Sequence, residues 1–480
     1  MKNHAIKILV ALSFFSVAPV FASQGERPNI LMIVTDDHGY ADVGYHGLDD
    51  DVKTPALDAL ANEGVIFTSG YVAHPFCGPS RTALLTGRYP HKIGAQFNLP
   101  VDGSTVGIDT SETFISKALQ QAGYHTGAIG KWHLGEESPY QPNNRGFDEF
   151  FGFLGGGHKY FPEQYRPQYE RAKAMGITRF NDYITPLVRN DKEVQEKEYL
   201  TDAFTREAVD FIDRAGNEEA QPFFLYLAYN APHVPLEAKE EDLALFSHIK
   251  DKKRRTYLAM VYAVDRGVKR IVQTLKDSGQ FDNTLIVFVS DNGGKLKWGA
   301  KNAPLREGKG SAREGGHRVP MFFHWPKGLK EARHYDAPVS TLDFYPTFLA
   351  LADAKTPAGK LLDGKNVFPH ILDNTSARPG ESLFVLRHRR GFHDVSVRRD
   401  QWKAVRTTTT DGWKLYNVAQ DRAETKDLSD QYPHILADMV KDAGHWAWSN
   451  QPPKWFHIHK EGDEWRDANM PRFGEAFQLQ

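Results

Sequence analysis

The chain's one cysteine, Cys77, stands in the run Cys77-Gly78-Pro79-Ser80-Arg81-Thr82-Ala83-Leu84-Leu85-Thr86-Gly87. A thiol without an intrachain partner in an exported protein is a free reactive group, half of an intermolecular bridge, or a side chain that is chemically changed. Pro79 suits the first turn of a helix and Gly87 suits its end, so residue 77 is expected just before a helix N-terminus. Backbone N–H groups and the Arg81 guanidinium then face an anion there. Two further pairs concentrate oxygen ligands, Asp36-Asp37 and Asp291-Asn292. Adjacent carboxylates repel by up to about 4 kcal/mol at about 4 Å and an effective dielectric of about 20, and a cation relieves that repulsion. Three carboxylates and an amide oxygen favour a hard divalent ion, Ca²⁺ first and Mg²⁺ second. One Asp-Asp pair alone reads better as a solvated turn. The matched second pair reverses that preference.

Each pair follows an apolar run by one residue, Ile30-Leu31-Met32-Ile33-Val34 through Thr35 and Leu285-Ile286-Val287-Phe288-Val289 through Ser290. Near-continuous apolar runs of this length, with Phe223-Phe224-Leu225-Tyr226-Leu227 as a third, predict strands buried on both faces of a mostly parallel sheet. Ligand-binding groups gather at the carboxyl ends of such strands, so two distant segments are brought to one edge. Helical segments are expected over Thr54 to Asn62, Phe114 to Ala122, Thr201 to Arg214 and Thr256 to Lys276, with Gly64 and Gly123 as C-terminal caps for the first two. After residue 378 the pattern changes to short alternating strands, Leu383 to Arg387, Val395 to Arg398 and Trp402 to Arg406, followed by a helix near Pro433 to Trp446. The organisation expected is a leader over 1–22, a catalytic domain over 23–377 and an α+β subdomain over 378–480.

Residues 1–22 carry Lys2 and Lys7, an apolar stretch and Val20-Phe21-Ala22, the pattern of a cleavable signal peptide. No later run approaches the roughly 20 apolar residues of a membrane span, so a secreted or periplasmic protein with no membrane anchor is expected. With 59 basic and 61 acidic residues the net charge is −2, which leaves no bulk electrostatic footprint for nucleic acid. An anionic substrate must be drawn by local charge.

The motif C-x-P-S-R followed by L-T-G at Cys77 resembles the maturation signature of the formylglycine-dependent sulfatases. That resemblance implies conversion of Cys77 to formylglycine by a dedicated maturation enzyme, a bound Ca²⁺, and hydrolysis of sulfate monoesters. It also implies an α/β, alkaline-phosphatase-like fold: a mixed, mostly parallel sheet sandwiched by helices, with a smaller C-terminal antiparallel sheet plus helix. Gly130-Lys131-Trp132-His133-Leu134-Gly135 is similar to the family's lysine-and-histidine block, and Ala231-Pro232-His233-Val234-Pro235 to its second histidine block. Leu305-Arg306-Glu307-Gly308-Lys309-Gly310, running on to Glu314-Gly315-Gly316-His317-Arg318, resembles its second lysine block. Arg313 departs from the pattern, since many members carry an aromatic residue there.

The resemblance thus implies a catalytic set of Cys77, Arg81, Lys131, His133, His233 and Lys309, and metal ligands Asp36, Asp37, Asp291 and Asn292. A sulfate monoester needs cationic donors around its non-bridging oxygens as the S–O bond breaks, which Arg81, Lys131, Lys309 and the metal supply. His233 is expected to protonate the departing oxygen with help from Lys309, and His133 to take the proton that lets sulfate be eliminated. His158, Arg306, His317 and Arg387 are candidate contacts to a sulfated sugar, with the run Arg387-His388-Arg389-Arg390 and the aromatic stretches His445-Trp446-Ala447-Trp448 and Trp455-Phe456-His457 as weaker ones. The expected substrate is a sulfated polysaccharide or oligosaccharide, a sulfated galactan such as carrageenan among them. Alternatives are a phosphonate or phosphodiester hydrolase of the same superfamily, or a non-catalytic sulfated-glycan-binding protein. A two-zinc phosphatase site needs more Asp and His ligands than the chain places.

Overall fold

The structure, a computed structural model, describes residues 27–100, 105–177, 180–217, 221–388, 394–408 and 410–467. The leader over 1–22, with Arg389 and Arg390, lies outside the described residues. Strands run β1 (Asn29–Thr35), β2 (Val65–Phe67), β3 (Gly70–Tyr71), β4 (His125–Lys131), β5 (Glu149–Phe153), β6 (Leu187–Arg189), β7 (Lys192–Val194), β8 (Phe223–Ala228), β9 (Thr284–Ser290), β10 (Met321–His324), β11 (Arg333–Tyr335) and β12 (Val339–Ser340). Ten of them form one sheet in the order β11-β2-β10-β9-β1-β8-β4-β5-β6-β7. The central five, β9-β1-β8-β4-β5, are parallel, while β10 lies antiparallel to both β9 and β2.

Alternation along β1 explains why both faces are buried. Ile30, Met32 and Val34 join one core with Leu84, Leu85, Ile115 and Phe348, while Leu31 and Ile33 join the other with Leu57, Phe204, Met260 and Val264. Helices therefore cover the sheet on both sides. Burying a side chain of this kind contributes about 1.5–3 kcal/mol, which commits the apolar runs to the middle of the sheet.

The register sets the site. Val34 pairs with Ala228, and Thr35 pairs with Ser290, so β1, β8 and β9 end together. Asp36-Asp37 and Asp291-Asn292 thus emerge side by side, and Lys131, closing β4, stands one strand beyond β8.

Helices form over Pro55–Asn62, Ile115–Gln121, Leu200–Asn217 and Lys252–Asp277, where periodicity predicts them. Gly123 is left-handed at φ +86°, as a cap requires. Gly64 serves otherwise: the Pro55–Asn62 helix closes on Glu63 in a right-handed conformation, and a Cβ on Gly64 would stand 2.3 Å from the Phe323 carbonyl oxygen. Close backbone approach, rather than a turn, demands glycine there.

The C-terminal segment forms a four-stranded antiparallel sheet, β13 (Ser382–Arg387), β14 (Asp394–Arg399), β15 (Trp402–Arg406) and β16 (Lys414–Asn417). The Pro433–Trp448 helix packs Met439, Val440 and Ala443 onto Val395, Val397, Ala404 and Leu415. The same apolar cluster takes in Ala83 and Tyr89, so the smaller sheet is fused to the back of the helix that begins at Cys77. No helix among the described residues is long and apolar enough to cross a membrane.

Candidate active site

Cys77 is the first residue of a buried helix, Cys77–Thr86, which Phe76 enters in an extended conformation and Gly87 leaves at φ +65°. The sequence places residue 77 just ahead of the helix; the structure places it in the first turn. Its Sγ lies 3.8 Å from Asn98 Oδ1, and the same oxygen accepts the Gly78 N–H at 2.9 Å. Asn98 therefore caps the helix from outside. Burial opposes ionisation of the thiol, but the Lys131 and Lys309 ammonium groups outweigh it and lower the pKa below the ordinary thiol value.

Arg81, wholly buried, joins the parts. Nε donates to Asp291 Oδ2 at 2.9 Å, and Nη1 donates to the Lys131 carbonyl at 3.0 Å and to Tyr226 Oη at 3.2 Å. Nη2 stands 3.7 Å from Asp36 Oδ2. Lys131 Nζ is paired with Asp36 Oδ2. Lys309 Nζ lies 2.5 Å from Asp37 Oδ1, which also accepts from Asn292 Nδ2 at 2.7 Å. The Lys309 loop is stitched at both ends: Lys309 N–H donates to the Gly294 carbonyl at 3.1 Å and Gly310 N–H to the Pro75 carbonyl at 2.9 Å.

Asp37 adopts φ +63°, a conformation tolerable to Asp, and Tyr257 Oη holds it by donating to its carbonyl at 3.2 Å. His233 is held by Tyr160, whose hydroxyl lies 2.8 Å from the carbonyls of Asn230 and His233. His233 Nδ1 faces the Val234 carbonyl at 2.8 Å, leaving Nε2 toward Asp37 Oδ2 at 3.8 Å. His133 is left-handed at φ +64°, and burial and Lys131 push its pKa well below the ordinary value, so the ring is neutral. Its buried Nδ1 has no hydrogen-bond partner.

The donor set suits a divalent metal. One carboxylate oxygen each from Asp36 and Asp37 and a ring nitrogen of His233 lie within 4.8 Å of one another. Asp36 Oδ1 and Asn292 Oδ1 are buried without a donor, which is costly unless something satisfies them. Burial and the Asp36 charge push Asp291 up to about 8. Burial opposes ionisation of Asp36 as well, but Lys131, His233 and Arg81 hold it below the usual carboxylate range. Crowded oxygens of this kind are relieved by a hard cation. Formally, Asp36, Asp37 and Asp291 balance Arg81, Lys131 and Lys309, three against three. A divalent ion makes the cluster net positive, and an anionic ester is drawn to it.

A cavity of about 280 Å³ opens onto this cluster, lined by Cys77, His133, His233 and Lys309. Asn98, Asp182, Tyr183 and His457 line it too. The motifs did not predict the first three: Asn98 stands in a loop and Asp182 and Tyr183 in a short 3-10 turn capped by Asn181, and the only available sign was the Asn-Asp-Tyr cluster at Asn181. His457, from one of the weaker aromatic stretches, is fixed by its Nδ1 on the Leu99 carbonyl at 2.7 Å.

The four expected sugar contacts fall elsewhere. His158 is buried, with Nδ1 and Nε2 each 2.7 Å from the carbonyls of Lys159 and Thr185, so it is a packing residue and not a ligand contact. His317 is buried beneath Tyr71, 3.1 Å from Lys403 Nζ, and burial and that ammonium push its pKa to about 3. It braces the two sheets. Arg306 donates to the Glu424 carbonyl at 3.1 Å, outside the cavity. Arg387 lies over the Phe76 ring at 4.5 Å and against the Gly310 carbonyl, behind the cavity wall. Trp446 stacks on Phe384 in the interior. Burial by neighbouring elements, which local pattern does not reveal, removes His158, His317 and Trp446 from ligand contact, whereas Arg306 is exposed and Arg387 partly so.

A helix-borne nucleophile position, a carboxylate cluster at strand ends and three converging cations define a hydrolase of anionic esters on an open α/β sheet. The Sulfatase family model matches residues 28–354, and the N-sulphoglucosamine sulphohydrolase, C-terminal model matches residues 309–443. The chain belongs to the sulfatase family, whose members use a formylglycine and a divalent metal. It is 35% identical to the uncharacterized sulfatase YdeN of Escherichia coli (strain K12), covering 94% of this chain and 91% of that protein. It is 32% identical to N-acetylgalactosamine-6-sulfatase of Homo sapiens over 87% of this chain and 78% of that protein. The solved structure of Ps i-CgsB in complex with k-i-k-neocarrahexaose is 55% identical, with a TM-score of 0.92, over 94% of this chain and 100% of that one.

Proposed function

We propose that this sulfatase removes sulfate from carrageenan-type galactan chains. What carries the reading is the 55% identity, along the whole of the other chain, to a protein solved with k-i-k-neocarrahexaose in place. The cavity of about 280 Å³, with Cys77, His233 and Lys309 in its lining, suits one sulfate ester entering sulfur first.

The maturation enzyme's aldehyde at residue 77 supplies, when hydrated, the hydroxyl that displaces the sugar oxygen from sulfur, and a Ca²⁺ held by Asp36, Asp37, Asp291 and Asn292 supplies a Lewis acid. Arg81 keeps Asp291 and Lys131 in register, and Lys131 and Lys309 exchange their carboxylate contacts for the non-bridging sulfate oxygens. Their charges meet the negative charge that grows as the S–O bond breaks. His233 gives a proton from Nε2 to the departing sugar oxygen, since an alkoxide is a poor leaving group. His133, buried and neutral, then takes the proton from the remaining hydroxyl at residue 77 as the bond between that carbon and the sulfate oxygen breaks. Sulfate leaves and the aldehyde is restored. Export by the leader over 1–22 belongs to the same proposal, because the polymer is met outside the cytoplasm; fractionation of the native host, followed by blotting, tests it.

The test of function is sulfate release from k-i-k-neocarrahexaose by matured protein, read by ion chromatography beside a phosphodiester and a sulfated glucosamine. Fastest release from the carrageenan oligosaccharide is expected. Preference for the phosphodiester, or for the glucosamine, overturns the substrate.

A further inference from the structure

Next to the catalytic cavity lies a larger cleft of about 660 Å³, and Asn181 and Tyr183 line both. Its floor is apolar, built from Ile184, Val234, Pro235 and Leu236, the last three following His233 directly in the chain. Its rim is cationic. Lys159, Lys252 and Lys253 stand around it with Trp298, and Lys253 Nζ is held 4.6 Å from the Trp298 ring centroid and 3.4 Å from the Lys297 carbonyl. Among the described residues no acidic side chain lines the cleft and no ion pair is formed by Lys252, while Lys159 faces the Glu237 carboxylate just beyond the floor. Ammonium groups above an apolar floor match one chemistry: a ring with an aliphatic face that also carries an anionic ester. The volume falls within the roughly 300–1,000 Å³ of small-ligand sites, and the shared residues Asn181 and Tyr183 put the cleft directly beside the place where sulfur reacts.

We propose that this cleft binds the neighbouring sulfated sugar of the same polymer chain, with the sugar face on Val234, Pro235 and Leu236 and its sulfate against Lys252 and Lys253. This rests on the carrageenan reading above. The occupant is therefore a second sulfated residue rather than a neutral one, and the enzyme distinguishes densely sulfated stretches from sparse ones through groups remote from the reacting sulfur. Tyr183, common to both cavities, fixes the angle between the reacting sugar and its neighbour.

Calorimetry tests this with unmatured thiol protein, which binds without turnover. The probes are k-i-k-neocarrahexaose and galactose 4-sulfate, the second too short to reach the cleft from the catalytic cavity. Lys252→Ala/Lys253→Ala should weaken hexasaccharide binding about tenfold, the effect of losing two exposed charge contacts. The salt dependence of that binding should become shallower, while galactose 4-sulfate affinity changes less than about twofold. Val234→Asp, which places a like charge on the floor, should weaken the hexasaccharide at least as much. Unchanged hexasaccharide affinity in both variants, with sulfate still released by matured wild type, overturns the cleft and leaves the substrate reading intact. Equal weakening of both probes also overturns it, since the lysines then act on the catalytic cavity alone. Failure of wild type to bind the hexasaccharide at all overturns the substrate reading and this inference with it.

Discussion

Arg81 Nε donates to Asp291 Oδ2 at 2.9 Å, tying the helix that opens at Cys77 to the acid that follows β9. The two residues lie far apart in the chain and meet because a strand end and a helix start share one sheet edge. The guanidinium spans Asp291, the Lys131 carbonyl and Tyr226 at once, which no lysine does, since an ammonium is a point charge on a flexible stem. Arg81→Lys should lower kcat at least about hundredfold, the scale of losing one aligned transition-state donor. Steady-state sulfate release on matured protein checks it, and activity within threefold of wild type would contradict the role given to Arg81.

Cys77→Ser should accept sulfate at most once. Its ether-like sulfate ester has no neighbouring hydroxyl from which elimination can start, so continuous turnover should fall by about a thousandfold or more. Intact-protein mass spectrometry after exposure to substrate should reveal the retained sulfate.

Chelated protein should contain three crowded carboxylates with only protons, Arg81, Lys131 and Lys309 to offset them. Adding Ca²⁺ should raise the thermal midpoint, by an amount equivalent to about 2.7 kcal/mol when the free ion is a hundredfold above its Kd. Asp291→Ala should blunt that rise and lower the metal content measured by emission spectrometry. An equal rise in wild type and variant would remove Asp291 from the ligand set.

Lys403 of β15 is buried between Glu314 at 2.9 Å and Glu424 at 3.4 Å. Lys403→Met removes the cation shared by the two acids, leaving Glu314 with Arg318 at 3.0 Å and Glu424 with Arg313 at 3.7 Å, and a loss of up to about 3 kcal/mol is expected in denaturant unfolding. Adding Glu424→Gln to that variant should recover part of the loss, because one of the two under-compensated charges is then gone.

Buried histidines set the acid limit of stability. His91 has a folded pKa of about 3, and His74 lies well below its ordinary value, in both cases chiefly through burial. The unfolded chain protonates these rings near 6.5 while the fold keeps them neutral. Stability is therefore full above about pH 6.5 and declines below it, by about 1.4 kcal/mol per pH unit for each ring until the folded pKa is reached. His91→Phe should lose less stability than wild type between pH 7.5 and 4.5, as measured by urea midpoints. A steeper loss in the variant would reverse the sign argued here.

Much of this site was legible in the chain because its parts sit next to strong local signals. Asp36 and Asp291 each follow a run of apolar residues too long and too uniform to be anything but an interior strand, and Pro79 and Gly87 bracket the helix that carries Arg81. Register and burial were not legible in the same way. The antiparallel position of β10 depends on which neighbour the chain returns to, and nothing in Met321–His324 records that choice. His158 and His317 carry the same ring as His133 and His233, yet neighbouring backbone encloses the first pair and leaves the second at a cavity. Asn98 reaches the site from a loop and Tyr183 from a single 3-10 turn, where side-chain identity says little until the path of the chain is known.

The ammonium of Lys403 enters the same buried network as Glu314, the first residue of the short helix that follows the Lys309 loop. The smaller sheet is thus a keystone for the reacting end of the larger one. A graft that replaced everything after residue 378 would therefore strip a buried cation from beneath Glu314 unless it kept Lys403 and Glu424, so the two sheets are interchangeable only together with this junction.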